Sequence, residues 1–227
     1  MTLPFRRDAF VRVAPFVVFM VFLSLRGMAP EDGSWGFDAR WLYGAQVAVV
    51  GAMLAWWWRE YGELVAQAWP TARELALALL TGLLVFVLWI QLDAPWMTIQ
   101  MGAVRPFVPL DAQGAVDWPL VAVRWVGAAL LVPVMEELFW RSFLMRWIQH
   151  PLFAAVAPQQ VGLRAVVLAT FAFTLAHTLW LAAVIAGLAY AWLYIRTGRL
   201  WVPVIAHAVT NGALGIWVVS TGNWQFW

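Results

Sequence analysis

Three short clusters set polar side chains into otherwise apolar sequence. The first is Glu136-Glu137-Leu138-Phe139-Trp140-Arg141, the second Phe173-Thr174-Leu175-Ala176-His177, and the third His207-Ala208-Val209-Thr210-Asn211. A charge near the centre of a bilayer costs at least about 2.5–3.5 kcal/mol on insertion scales, so such residues are functional candidates by default. On a helix, residues four apart share a face, which puts Glu137 over Arg141, Phe173 with His177 and His207 with Asn211. Glu136 is rotated from Glu137 by about 100° and has no cation built into its own turn. One carboxylate is thus neutralised locally, and the other must find its partner on another helix. Pro133 removes a backbone hydrogen bond just before the pair and is expected to kink that helix.

These residue types suit one reaction class. A glutamate held away from water suits general-base work. A histidine facing it can hold and orient the same water. A second histidine with an asparagine four residues on offers two donors on one face, as the tetrahedral oxyanion of an attacked carbonyl requires. The chemistry implied is hydrolysis of an amide by an activated water, inside the membrane.

The elements that must position these groups are transmembrane helices. Of 227 residues, 64% are hydrophobic and 11% charged, whereas soluble domains run nearer half apolar and a quarter charged. A span needs roughly 20 apolar residues, and runs of about that kind fall at 9–28, 41–58, 75–92, 119–147, 164–177, 181–195 and 200–220, with the longest loop at 93–117. The fold class expected is all-α: a polytopic transmembrane helix bundle of about seven spans, with an eighth if one region is broken or re-entrant. The first run follows Arg6 and Arg7, but no small-residue cleavage site stands near 26–30, so it reads as a retained helix. Tryptophans such as Trp41, Trp56, Trp57, Trp58, Trp118 and Trp201 sit near run ends, as in an interfacial belt. Without internal repeats or linkers, residues 1–227 read as one membrane-embedded domain, with the motif helices in 119–220.

Charge asymmetry orients the bundle. With the N-terminus cytoplasmic, the inner segments carry Arg6, Arg7, Arg12, Arg59, Arg73, Arg141, Arg146, Arg164, Arg196 and Arg199. The outer ones carry only Arg26, Arg40, Arg105 and Arg124, with Glu31, Asp32, Asp38, Asp93, Asp111 and Asp117. That alternation follows the positive-inside rule and suggests an integral protein of the cell membrane. At about 1.5 Å per residue, Glu136 lies about 15 Å from Arg146, His207 about 12 Å from Arg199 and His177 about 20 Å from Arg164, so all three fit one slab. Arg12, Arg26 and Arg124 read as snorkelling anchors, Phe173 and Trp140 as packing, and His150, beside Pro151, as a loop residue.

Glu-Glu-x-x-x-Arg, then Phe-x-x-x-His, then His-x-x-x-Asn, in this order and each on a hydrophobic helix, resembles the CPBP family. These are the type II CAAX prenyl endopeptidases and bacteriocin-processing proteins, glutamic intramembrane proteases. The resemblance covers about 119–220. It implies that Glu136 and His177 activate the water, that His207 and Asn211 form the oxyanion site, and that Glu137 and Arg141 support it. It further implies a peptide or protein substrate, lipid-modified or membrane-anchored, met in contact with membrane lipid. No cofactor, metal or nucleic-acid partner is expected; the net charge of +2 comes without a dense basic stretch.

Two other readings remain open at this level. Glu136, His177 and His207 are also a conceivable zinc set for a membrane metallopeptidase, although the chain has no cysteine and no His-Glu-x-x-His helix. A non-enzymatic binding or immunity-type membrane protein, or a transporter, would use the polar cluster to grip a ligand or proton. Transporters usually bring inverted repeats, and none is found.

Overall fold

The computed structural model describes residues 6–29, 36–99 and 106–227; Glu31, Asp32 and Arg105, three of the charges read as external, lie outside them. Among the described residues there are eight helices: α1 Arg7–Met28, α2 Leu42–Trp56, the single turn α3 Gly62–Val65, α4 Ala72–Gln91, α5 Trp118–Gln149, α6 Leu163–Thr174, α7 Trp180–Thr197 and α8 Trp201–Thr221. No strand is present among these residues beyond an isolated bridge between Leu110 and Val116. The seven expected spans correspond to α1, α2 and α4–α8. Five of them, α1, α4, α5, α7 and α8, are long and apolar enough to cross a membrane; α2 has 15 residues and α6 only 12. This is a polytopic helix bundle of a membrane protein.

Contacts at the helix ends show successive spans running in alternate directions. At the arginine-rich end, Arg199 Nη1 donates to the carbonyls of Ala68 and Trp69 at 2.9 and 2.8 Å, and Trp201 Nε1 donates to Leu64 O at 2.9 Å. At the other end, Ile99 N–H donates to Thr178 O at 2.7 Å, and Arg40 Nη1 to Leu110 O at 2.6 Å. Local signals set several boundaries. Thr71 and Glu74 form a reciprocal capping box at the start of α4, and Gly198 supplies the left-handed residue, φ 68°, that ends α7.

The helix carrying the paired glutamates departs from expectation. Pro133 does not break α5. Instead the helix widens to π geometry over Gly127–Leu131, returns to α over Val132–Glu137, and widens again over Leu138–Met145. The wide turn before Pro133 accommodates a residue that can donate no backbone bond, so the chain continues through it; such turns cluster at functional sites. Gly127 permits the close approach of α2, because a side chain there would strike Val47 and the Tyr43 hydroxyl.

A second departure concerns Arg12. Rather than snorkelling, it is buried and paired with Glu63, Nη2 to Oε2 at 2.6 Å. Its Nε also reaches Ser142 Oγ on α5 at 3.2 Å, and Ser142 in turn donates to Glu63. Burial alone would raise the Glu63 carboxyl, but the bonds and charge of Arg12, with Ser142, outweigh it and hold Glu63 below the usual carboxylate range. Arg146 is buried too, giving Nη2 to Phe153 O at 2.9 Å and Nη1 to Tyr194 Oη at 3.1 Å. Arg26 and Arg124 lie over the Tyr43 ring, 5.0 and 4.6 Å from its centre, as cation–π partners. Each arginine read as an anchor therefore has a partner far away in sequence.

Candidate active site

Glu137 is the hub of the buried polar cluster and is fully excluded from solvent. Its Oε1 accepts from Arg141 Nη1 and from His207 Nδ1, each at 3.0 Å. The first bond is the i,i+4 pair expected from spacing. The second crosses from α5 to α8 and ties a residue read as support to one read as catalytic. Arg141 is itself fixed on three sides. Its Nη2 donates to Gly187 O at 3.3 Å, and its guanidinium lies between the rings of Phe173 and Tyr190, 4.7 and 5.3 Å from their centres. Phe173, expected only to pack, thus also faces a cation.

Both candidate histidines have their tautomer set by what their Nδ1 meets. A carboxylate oxygen accepts only, so the His207 Nδ1 must carry hydrogen to bond Glu137, leaving Nε2 as the ring atom outside that bond. His177 is arranged likewise, with Nδ1 donating to the Phe173 carbonyl at 2.8 Å. α6 tightens one residue earlier: Ala176 N–H donates to Phe173 O and His177 N–H to Thr174 O, each at 3.1 Å, so Phe173 O accepts from both the backbone and the imidazole. His177 therefore stands in the turn after α6 rather than on the helix expected through residue 177. It is half-buried, tilted against Phe173 at 4.3 Å and edge-on to Trp89 at 5.7 Å.

Glu136 is only 8% exposed, and its Oε2 is enclosed without a hydrogen-bond partner. Its charge falls within electrostatic range of His177, as do those of His207 and Arg141. Asn211 lies one turn beyond His207 on α8 and donates Nδ2 to the Ala128 carbonyl at 2.9 Å. Asparagine carries two N–H donors on that nitrogen, so one remains for another acceptor. All six expected residues thus belong to one neighbourhood formed by α5, α8 and the end of α6. Among the described residues, no three His, Asp or Glu side chains form a metal-ligand group.

Sequence reasoning missed Tyr190, Thr210 and the two glycines that let them meet the cluster. The Tyr190 ring stacks on His207 with centres 4.9 Å apart and planes at 21°. Its hydroxyl donates to Thr210 Oγ1 at 2.7 Å, and Thr210 donates to Gly82 O at 2.9 Å. A side chain at Gly82 would strike Ala206 O and Val209, so only glycine lets α4 come this close to α8. The available signal was faint: Gly187 and Tyr190, three residues apart in an apolar span, share a face.

Residues 118–213 match the family model of the type II CAAX prenyl endopeptidase Rce1-like proteins. The match begins at the first residue of α5, ends within α8 and contains all six motif positions. No curated protein and no solved structure matches the chain.

Proposed function

Because residues 118–213 match the Rce1-like family model, we propose that the chain is a membrane endopeptidase acting on a protein or peptide and that it cuts the bond with a water activated by Glu136 and His177. Glu136 takes a proton from the water as its oxygen attacks the scissile carbonyl carbon. His177, with Nδ1 held by Phe173 O, uses Nε2 to orient that water. The oxyanion formed accepts from the second N–H of Asn211 and from Nε2–H of His207 in its imidazolium form. Glu137 and Arg141 cancel each other; the imidazolium offsets the Glu136 carboxylate before attack and the oxyanion once Glu136 has taken the proton. Collapse breaks the C–N bond, and the proton held by Glu136 passes to the leaving amine.

The observation that carries this reading is the contrast between two adjacent carboxylates. Glu137 commits Oε1 to both Arg141 and His207, whereas Glu136, buried beside His177, makes no side-chain hydrogen bond; the Oε2 of each lies buried without a partner. The decisive experiment compares vesicles or membranes holding wild-type protein with those holding Glu136→Gln. The variant is expected to fold normally and to leave substrates uncut; full cleavage by it would overturn the assignment.

The substrate is proposed to be lipid-modified or membrane-anchored. An apolar groove of about 410 Å³ between α2 and α5, lined by Gly51, Leu54, Leu130, Leu131 and Val134, suits an alkyl or isoprenoid chain. The N-terminus is proposed to be cytoplasmic, in the cell membrane, from the arginine asymmetry. Reporters fused after Arg59 and within 146–164 should then read as cytoplasmic, and those within 93–117 as external. A cytoplasmic signal from 93–117 would reverse the orientation.

A further inference from the structure

Tyr190 touches two members of the polar cluster with its ring and neither with its hydroxyl. One face stacks on the His207 imidazole, 4.9 Å centre to centre, and the Arg141 guanidinium lies 5.3 Å from the ring centre. The hydroxyl is used elsewhere. Thr210 spends its single proton on the carbonyls of Gly82 and Ala206, at 2.9 and 3.1 Å. It therefore accepts from Tyr190, whose proton is committed at 2.7 Å. Tyr190 thus offers no acid or base to a substrate, and what it supplies is a fixed aromatic plane.

We propose that Tyr190 is a positioning residue that locks the His207 ring in the plane from which the Nε2–H of its imidazolium donates, resting on the reading of His207 given above. The imidazole turns about its Cα–Cβ and Cβ–Cγ bonds, and the single bond to Glu137 leaves a coupled rotation of the two. Stacking against Tyr190 removes that rotation. Tyr190 is held in turn by the Thr210–Gly82 contact, which anchors the plane to α4. The same ring closes one side of Arg141 and so keeps the acceptor of His207, Glu137 Oε1, in place. A misplacement of about 1 Å in a group that stabilises charge costs on the order of 100-fold in rate.

Two variants separate the ring from the hydroxyl. Tyr190→Phe keeps the plane and loses the bond to Thr210, so kcat should fall by no more than about fivefold, as for one neutral hydrogen bond. Tyr190→Leu removes the plane, and kcat should fall about 100-fold with KM unchanged. The chain has three histidines, so nitrogen spectra of 15N-histidine-labelled full-length protein in nanodiscs are readily assigned with a His207→Gln control. Wild type and Tyr190→Phe should give one set of His207 ring-nitrogen signals, and Tyr190→Leu should give a mixture. Equal losses in Phe and Leu variants, or a Leu variant with wild-type kcat and an unmixed His207 spectrum, would overturn the proposal. The spectrum is read without turnover. If Glu136→Gln proved fully active, the catalytic reading would fail while the Tyr190 test still gave its answer.

Discussion

Pro133 and Asn211 are joined through a single carbonyl oxygen. In the wide turn before the proline, Val132 N–H reaches back five residues to Gly127 O. Continued by one residue, that pattern would give Ala128 O the N–H of residue 133, which proline lacks. Asn211 donates to Ala128 O at 2.9 Å instead. The asparagine proposed for the oxyanion site is therefore held in place by a vacancy in the hydrogen bonding of the glutamate helix.

Asn211→Ala should act on two observables. Losing one preorganised donor lowers kcat about 100- to 1000-fold with KM unchanged. Leaving Ala128 O buried and unpaired should cost about 1–3 kcal/mol of stability. Adding Pro133→Ala restores a backbone N–H and should recover stability without recovering kcat. Recovery of both by the double variant would remove Asn211 from the chemistry.

The two glutamates should separate in a melt. Glu137→Ala strands Arg141, 3% exposed, and frees His207; breaking a buried pair on one side costs about 3–5 kcal/mol. Glu136→Gln breaks no bond seen in the structure and should unfold at the wild-type temperature while turning over nothing. Thermal unfolding in detergent, run beside a cleavage assay, checks both. Equal destabilisation by the two variants would contradict their different roles.

Acid should loosen the arginine-rich end first. The folded-state carboxyl of Glu63 is held below its ordinary value, so its stabilisation is complete above the unfolded pKa of about 4.3. It is lost as pH falls from there through the folded-state value, because the unfolded chain then binds the proton more readily. Unfolding temperature between pH 7 and pH 3 should drop more steeply for wild type than for Glu63→Gln. Parallel curves would show that Glu63 is not the acid-sensitive group.

Chelation tests the metal alternative directly. Purified protein should carry no stoichiometric metal, and a strong chelator should leave the cleavage rate unchanged. Zinc near one equivalent per chain, with activity lost on chelation and restored by zinc, would replace the glutamic mechanism with a metallopeptidase.

What the sequence made legible was what helical spacing alone determines. Glu137 and Arg141 are four residues apart, and their pairing needs no knowledge of the fold. Glu137 and His207 are 70 residues apart, and Arg12 and Glu63 are 51 apart, so those pairings became visible only with the helices packed. His177 failed for a different reason. Helical periodicity continues through it, but the backbone tightens at Ala176 and His177, whose N–H groups reach back only three residues. Tyr190 stayed hidden because a stacking plane leaves no pattern in spacing, only an aromatic residue among many.

The brevity of α6 has a consequence for the lipid itself. Twelve residues at about 1.5 Å each rise about 18 Å, against a hydrocarbon core of about 30 Å. Lipids beside α6 must shorten to match, or the turn carrying His177 must sit at depth with polar backbone beside it. Thinning costs fractions of a kcal/mol per Å of mismatch, less than unpaired backbone in lipid, and it brings the aqueous boundary towards the only half-buried histidine of the cluster. The bilayer would then take part in the proposed hydrolysis by setting how much water reaches it. Cleavage in short-chain vesicles should outpace that in long-chain ones, and a rate indifferent to chain length would show that α6 is matched by protein rather than by lipid.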